Sequence, residues 1–241
     1  MNNNYFYKYF STKKDYPNLN KLFNIQAQLD NTNTSEAIID AIEESKDLFI
    51  EKAKISVKYS FYNLDKINAD NIIVSDDTAS SYILTGNLLP LILKDCHQVI
   101  LYTLTLNGYD EIIEECDDDI LLSFFCDAWG SAYAESADAY FIETIRSEYQ
   151  KNNLYMTISH NPGQHLFPLK NQQTFFEALN PADIGLTLTE SCLMLPSKSI
   201  SGIVGVSTNP QDTSKVSCDF CNMKNSCPTA YAHKSAVNLQ T

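Results

Sequence analysis

The feature that most constrains the fold is an uninterrupted helical pattern from about Asp119 to Gln150, DILLSFFCDAWGSAYAESADAYFIETIRSEYQ. Its apolar residues recur at helical spacing, so the sequence predicts one long helix. Elsewhere the pattern changes: Ile55–Leu64 alternates like a strand, and Gln98–Leu106 predicts a buried strand that ends at the Asn107-Gly108 turn. Because helices and strands mix without a strict strand–helix–strand rhythm, we expect an α+β fold.

The remaining segments give shorter patterns. Ser35 begins the helical run SEAIIDAIEESKDLFIEKA, with acids in its first turn as the helix dipole prefers. Residues 76–85 indicate a turn and the entry into a second helix, and Gln172–Leu179 indicates a short helix. The runs LTLTESCLML and SISGIVGVST, on either side of a turn at Pro196, predict strands.

These patterns divide the chain into three parts. Residues 1–33, rich in Asn, Lys and Tyr, predict an irregular arm. Residues 34–210 predict the α+β domain, and residues 211–241 a polar, cysteine-bearing tail.

Charge and composition exclude several function classes. The net charge of −13 argues against binding to nucleic acid or to an anionic membrane, and favours a cationic ligand or a basic partner. The N-terminus lacks the apolar region of a signal peptide, and the longest apolar run, Leu88–Leu93, is too short to span a bilayer. We therefore expect a cytoplasmic protein whose seven cysteines are reduced thiols or metal ligands. No G-x-G-x-x-G or phosphate-binding loop motif is present, which disfavours a doubly wound nucleotide-binding fold.

One face of the long helix is a candidate binding surface. Glu135 shares this face with small or acidic residues: Ala128, Ser131, Ala132, Asp138 and Ala139. Small side chains leave room above the helix, and a carboxylate in that space suits a ligand ammonium or sulfonium. The alternative is a solvated face with close helix packing at the alanines.

A second candidate is the loop His160-Asn161-Pro162-Gly163-Gln164-His165. Pro-Gly fixes a turn and lets the backbone approach a ligand closely. Two nearby histidines suit a metal or acid–base role, although solvated loop histidines are the commoner case. No nucleophile–base pair stands out, and the acids at 117–119 are most simply a helix start.

The third candidate is the cysteine group Cys218, Cys221 and Cys227. The C-x-x-C spacing lets two thiolates converge on one metal, and Cys227 can add a third. The fourth ligand stays open between Cys192, His233 and an exogenous group, and free or redox-active thiols are the alternative. The other cysteines, Cys96, Cys116 and Cys126, lie in apolar or helical contexts and are expected to be packing residues.

Together these segments resemble the activation domain of cobalamin-dependent methionine synthase. The most specific part is a Thr-Glu-Ser segment that leads through Met-x-Pro to a Ser-Gly end. It is matched by Thr189, Glu190, Ser191, Met194, Pro196, Ser199, Ile200, Ser201 and Gly202. The helix run AYAESADAYFIETIRSEY resembles the family's ligand-binding helix. The Pro-Gly pair at 162–163 and the Pro-Leu pair at 168–169 match the family's loop, and LYTLTLNG resembles the strand before the helix.

The resemblance implies a fold of mixed helices around a central, twisted, mainly antiparallel sheet. It also implies S-adenosylmethionine as ligand and a cobalamin on a partner protein, either a methionine synthase subunit or another corrinoid protein. A flavodoxin-like donor would supply the electron that lets oxidised cob(II)alamin be remethylated. The chain would then be one component of a methyltransferase system, with the reactive chemistry belonging to its cofactors.

Carried over residue by residue, the resemblance implies a ligand site on the helix, the loop and the last strand. The implied site residues are Glu135, Ser159, Pro162, Gly163, Gln164, Leu166, Glu190, Ser191 and Val204. Three of them depart from the family pattern: Ser159 stands at an arginine position, and Gln164 and Val204 stand at tyrosine positions. The cysteine tail resembles tails of stand-alone family members and implies an iron–sulfur cluster or zinc.

Two other functions stay open. One is a metal or iron–sulfur electron-transfer module that serves another corrinoid methyltransferase. The other is a non-catalytic interaction protein that has lost the ligand site.

Overall fold

The computed structural model describes residues 5–13, 16–29, 35–164, 166–215 and 217–226. The helices are α1 (Leu19–Gln26), α2 (Glu36–Lys52), α3 (Leu89–Ile92), α4 (Tyr109–Glu115), α5 (Ile120–Gln150) and α6 (Gln172–Leu179). The strands are β1 (Phe6–Ser11), β2 (Lys54–Ile67), β3 (Asn71–Ser75), β4 (Ser81–Thr85), β5 (Gln98–Asn107), β6 (Tyr155–Met156), β7 (Thr187–Leu188), β8 (Met194–Leu195) and β9 (Ser199–Ser207). Three short 3₁₀ helices span Leu169–Asn171, Pro181–Ile184 and Ser217–Phe220.

The main sheet is antiparallel throughout its described pairings. Its strand order is β4-β3-β2-β5-β9-β6, and β1 pairs with β2 as an additional edge strand. Alternate residues of each central strand point to opposite faces, which separates two apolar clusters. One cluster packs under α1, α2 and α5, and the other under α3 and α6. The predicted α+β class with a mainly antiparallel central sheet is confirmed.

The predicted long helix is confirmed as α5. Its N-cap, Asp119, accepts hydrogen bonds from the backbone N–H groups of Leu121 and Leu122. Large aromatic side chains hold the helix in place: Trp129 stacks on Phe23 with 3.8 Å between ring centroids, and Tyr133 stacks on Phe49 at 5.5 Å. Many of its residues are buried, and α5 packs against one face of the sheet as part of the larger apolar cluster.

The expectation of an irregular arm at the N-terminus is wrong for the described residues of that segment. Residues 6–11 form β1, which pairs with β2, and residues 19–26 form α1, which packs on α5. The polar composition hides a set of apolar anchors, since Tyr16, Leu22 and Phe23 are all buried. Burial of these side chains against α5 outweighs the weak local propensity of an Asn- and Lys-rich segment.

The helix predicted to follow residue 76 is also absent. Residues 71–75 and 81–85 instead form the β3–β4 hairpin, in which Ile72, Val74 and Leu84 are buried. Asp76 organises the turn, since its Oδ1 accepts hydrogen bonds from Thr78 and Ser80. Asp and Ser side chains favour both turns and helix starts, so this segment's sequence does not distinguish the hairpin turn from a helix entry.

Several shorter predictions are confirmed: α2, α6, β5 and β9 lie where their patterns indicate. The run LTLTESCLML forms two short strands, β7 and β8, which pair with each other apart from the main sheet. The Leu195–Pro196 peptide bond that follows them is cis. None of the helices in the described part of the chain is long and apolar enough to cross a membrane.

Candidate ligand-binding site

The candidate site forms where α5, β5 and the loop after β6 meet, and Tyr102 lies at its centre. Tyr102 is a buried residue of β5 that points toward α5 and packs against Phe141. Its hydroxyl lies 2.7 Å from Ser159 Oγ in the loop and also hydrogen-bonds to the carboxyl of Asp138 on α5. One phenol thus joins the predicted helix to the predicted loop.

Asp138 is the most perturbed acid near the candidate site. Burial raises its pKa to about 7; a hydrogen bond from Tyr102 opposes this rise, and the charge of Glu135 adds to it. Its Oδ1 is buried and has no hydrogen-bond partner among the described residues. A buried carboxyl group whose pKa is raised to about 7 and whose Oδ1 lacks a partner among the described residues is a candidate functional group.

Glu135 lies one turn before Asp138 on the same helix and is half-buried. Its Oε1 accepts a hydrogen bond of 3.1 Å from the side-chain amide of Gln26, at the end of α1. The small-residue face predicted from the sequence therefore carries two carboxylates, and α1 covers part of it. The adjacent Ala139 is exposed, so this face is open to solvent beyond the covered part.

The loop predicted to oppose the helix is fixed to β9. His160 forms an antiparallel bridge with Ile203, and the Asn161 side chain donates to the carbonyl oxygen of Ser201 at 2.7 Å. Pro162 is buried, whereas Gly163 and Gln164 are exposed. Gly163 has a φ of +94°, which a residue with a side chain rarely adopts, and it donates to the carbonyl of Phe167.

Two further loop contacts shape this bend. Gln164 Oε1 accepts from the backbone N–H of Asn161 at 3.2 Å, which closes the turn around Pro162. Leu166 is exposed and has a φ of +58°, in the left-handed region that is costly for an apolar side chain. His165 lies outside the described residues.

The Ser-Gly end of the resembling segment contributes through close packing. A Cβ on Gly202 would come within 2.4 Å of the Tyr102 hydroxyl. Only glycine lets Tyr102 lie flat across β9 and reach Ser159. The glycine that ends the family-like motif is therefore needed for the central contact of the site.

Lys198, in the same segment, contacts the helix one turn before Glu135. Its Nζ lies 2.8 Å from Ser131 Oγ and 2.8 Å from Asp127 Oδ1, and its side chain is mostly buried. Asp127 also accepts a hydrogen bond from Tyr109. A cation is thus held on α5 one turn before Glu135, paired with Asp127.

Three of the implied site residues are not joined to this constellation by the contacts described here. Glu190 and Ser191 are exposed at the tip of the β7–β8 hairpin, where Ser191 hydrogen-bonds to Thr189. Val204 is fully buried in the apolar cluster under α5, so its side chain has no surface open to a ligand.

The histidine predicted for metal or acid–base work occupies a buried position. His160 has no hydrogen-bond partner on either ring nitrogen within the described residues, and burial lowers its pKa to about 4. Its ring meets the edge of Phe220, with centroids 6.1 Å apart. At neutral pH it is an uncharged packing residue in this structure.

That contact also positions the cysteine-bearing segment. Cys218 lies in the 3₁₀ helix Ser217–Phe220, and Cys221 follows it; both are half-buried. Cys227 and His233 lie outside the described residues, and the described part of the chain contains no cluster of three or more residues suited to a metal ion. Metal binding at Cys218, Cys221 and Cys227 therefore stays a prediction. Cys116 and Cys126 are buried, with 3.2 Å between their sulfur atoms, which confirms them as packing residues.

Comparison with known proteins bears on the fold. Neither known protein-family models nor curated protein sequences match this chain. Among solved structures, a crystal structure of the MetH reactivation domain bound to AdoHcy matches with a TM-score of 0.63. The chain has the fold of the MetH reactivation domain. The match covers 83% of this chain and 78% of the reactivation domain's chain at 16% sequence identity, so the likeness establishes the fold.

Sequence reasoning missed the residues that join the site together. The sequence predicts Tyr102 only as part of a buried strand and Gln26 only as part of an irregular arm, whereas the structure places both in contact with the candidate site. The sequence places Asp138 beside Glu135 on the helix but does not predict its raised pKa. The available signal was the i, i+3 spacing of two acids in an alanine-rich helix, which is unusual for a buried face.

Proposed function

We propose that this protein is an S-adenosylmethionine-binding reactivation subunit of a cobalamin-dependent methionine synthase. In this role it supports reductive methylation of cob(II)alamin on a cobalamin-binding partner, with an electron from a flavodoxin-like donor. The fold likeness supports this role, because the matching reactivation domain is bound to AdoHcy. AdoHcy is what remains of S-adenosylmethionine after its methyl group has been transferred.

The observation that carries the proposal is the pair of carboxylates on α5. Glu135 and Asp138 lie one turn apart, and the hydrogen bond of Asp138 to Tyr102 ties this face to Ser159 in the loop. A ligand that carries an ammonium and a sulfonium group is attracted to such a face, and partial burial strengthens the attraction.

The chain's own residues would then divide the binding work. Glu135 and Asp138 hold the ammonium, and Ser159 with the Pro162–Leu166 bend orients the rest of the ligand. Lys198 is the proposed partner of the ligand carboxylate, since Ser159 stands at the family's arginine position. The protein's contribution is to position the methyl donor for the partner's cobalamin, which supplies the methyl acceptor.

Calorimetric titration with S-adenosylmethionine tests this function. We expect Glu135→Gln to weaken binding by about 1.5–3 kcal/mol, the scale of a hydrogen bond to a charged group. Glu148→Gln is the matched control, because Glu148 lies on the same helix but pairs with the surface residue Lys8. Its affinity should stay within about twofold of the unsubstituted protein.

Two results would reject the proposal. The first is an absence of heat and of a thermal shift at millimolar S-adenosylmethionine, which would favour a non-catalytic interaction protein. The second is equal affinity of the Glu135→Gln and Glu148→Gln variants, which would assign the carboxylate face to packing alone.

The cysteine segment supports a second proposal, that of a metal or iron–sulfur electron-transfer module. Cys218 and Cys221 have the C-x-x-C spacing that lets two thiolates bind one ion, and neither is fully buried. Cys227, which lies outside the described residues, is the proposed third ligand. Metal analysis and a visible spectrum after anaerobic iron–sulfur reconstitution test this. Bound metal that Cys221→Ser removes and Cys96→Ser retains would support it, and colourless, metal-free protein would contradict it.

A further inference from the structure

The edge of the sheet is interrupted beside β2, on the side away from β5. β1 pairs with β2 as far as Tyr59, and β3 begins to pair at Asn63. The stretch Ser60–Tyr62 therefore has β5 on one side and no described strand on the other. We call this gap the β2 notch, and a cavity of about 210 Å³ lies in it.

The β2 notch combines aromatic walls with negative charge. Phe6 and Phe61 line it on one side, and Asp76 and Asp77 line it where β3 ends. None of the described lining residues is basic. The two phenylalanine rings meet edge to face at 5.6 Å, and Phe6 is 42% exposed, so ring surface faces the opening.

Asp76 lines the cavity and also holds the turn beside it. Its Oδ1 organises the β3–β4 turn by accepting from Thr78 and Ser80. Its Oδ2 is buried and accepts no hydrogen bond from the described residues. Burial opposes ionisation, but the hydrogen bonds from Thr78 and Ser80 outweigh it and lower the pKa of this carboxyl. The carboxyl group therefore carries negative charge at neutral pH, beside the cavity that it lines.

We propose that the β2 notch binds a small alkylammonium ion, with its ammonium group against Asp76 and its carbon chain against Phe6 and Phe61. A carboxylate beside aromatic faces is the combination that recognises organic cations, since both attract positive charge and the rings also accept apolar surface. The cavity is smaller than the roughly 300–1,000 Å³ typical of drug-sized ligands, which favours a short chain. This site is separate from the Asp138–Tyr102–Ser159 constellation and does not depend on the proposed function.

Titration of the full chain with n-butylammonium, followed by amide chemical shifts in NMR spectra, tests this inference. We expect saturable shifts at Phe61 and Tyr62, and none with n-butanol, which has the same chain but no charge. Asp76→Asn keeps an acceptor for the turn and removes the charge, so we expect binding to weaken about tenfold or more. Asp65→Asn is the matched control, because Asp65 is an exposed acid of β2 that does not line the cavity.

Three results would overturn the inference: equal shifts with butylammonium and butanol, equal weakening by Asp76→Asn and Asp65→Asn, or no saturable shift at Phe61 and Tyr62. The spectrum of the Asp76→Asn variant without ligand shows whether the β3–β4 turn is intact. If it is not, Asp76→Glu provides the comparison, because it keeps the negative charge while changing the turn contacts. Loss of binding in Asp76→Glu equal to that in Asp76→Asn would then overturn the inference.

Discussion

At the scale of single residues, two buried groups titrate in opposite directions. Burial raises the pKa of Asp138 to about 7, so its carboxyl group is partly protonated at neutral pH. Burial lowers the pKa of His160 to about 4, so its ring is uncharged at neutral pH. Asp138 hydrogen-bonds to Tyr102, and His160 directly follows Ser159, the other partner of Tyr102. The pH dependence of stability therefore reports directly on the surroundings of the candidate site.

Asp138 should cost stability as pH rises. Its folded pKa lies above its unfolded value, so its contribution is most favourable below about pH 4 and is lost as pH rises through 7. Asp138→Asn lacks this loss. Between pH 4 and pH 8, we expect the unfolding free energy of the parent to fall by about 4 kcal/mol relative to that of Asp138→Asn. Urea denaturation at both pH values measures it, and a difference that does not change with pH would show that this carboxyl is well solvated.

His160 should have the opposite effect. Its folded pKa lies below its unfolded value, so its contribution is present above about pH 6.5 and is lost as pH falls toward 4. Relative to His160→Leu, the parent should lose about 3 kcal/mol between pH 7 and pH 4. Thermal or urea unfolding of both proteins at the two pH values checks this. Parallel pH profiles would mean that water or an undescribed residue already satisfies the ring nitrogens.

At the scale of elements, the N-terminal segment is part of the core that holds α5. The ring of Phe23 on α1 lies flat on Trp129, and Tyr16 meets Tyr133 and Tyr140 edge to face. α1 also supplies Gln26, which hydrogen-bonds to Glu135. The helix face proposed to bind ligand is therefore partly built by a segment that looks irregular in sequence.

Truncation of Phe23 tests this role of α1. We expect Phe23→Ala to lower the unfolding free energy by about 3–5 kcal/mol, because it removes a buried ring that fills space against Trp129. Phe6→Ala is the comparison, since Phe6 is 42% exposed and should cost much less. Denaturant unfolding monitored by tryptophan fluorescence gives both values. Equal losses would mean that α1 adds little to the core.

What the sequence could predict follows from how local each signal is. α5 and β5 carry their own periodicity, so their positions follow from the chain alone. β1, α1 and the β3–β4 hairpin depend on partners far away in sequence, such as Tyr133 for Tyr16, and their local propensities are weak or ambiguous. The candidate site is local in sequence only in part: Glu135 and the Pro162-Gly163 bend have local signatures, whereas the Tyr102–Ser159 contact exists only after folding.

At the scale of the whole molecule, the net charge and both proposed sites favour the same kind of ligand. The chain carries a net charge of −13, and such a charge favours positively charged ligands over anions at both the α5 carboxylates and the β2 notch. The two sites lie on different parts of the sheet, one across β5 and β9 and the other at the β2 notch. Occupancy of one need not exclude the other.

The strand order has a further consequence for synthesis on the ribosome. β9 comes from residues 199–207 but lies between β5 and β6 in the sheet. One edge of β5 pairs with β2, and the other edge can pair with β9 only after most of the chain has been synthesised. Until then, a nearly continuous apolar strand presents open hydrogen-bonding groups, which is the condition that promotes self-association of nascent chains. A chain truncated before residue 199 would lack β9 and leave this edge of β5 unpaired, which favours aggregation. A chain that extends past residue 207 can pair β9 with β5.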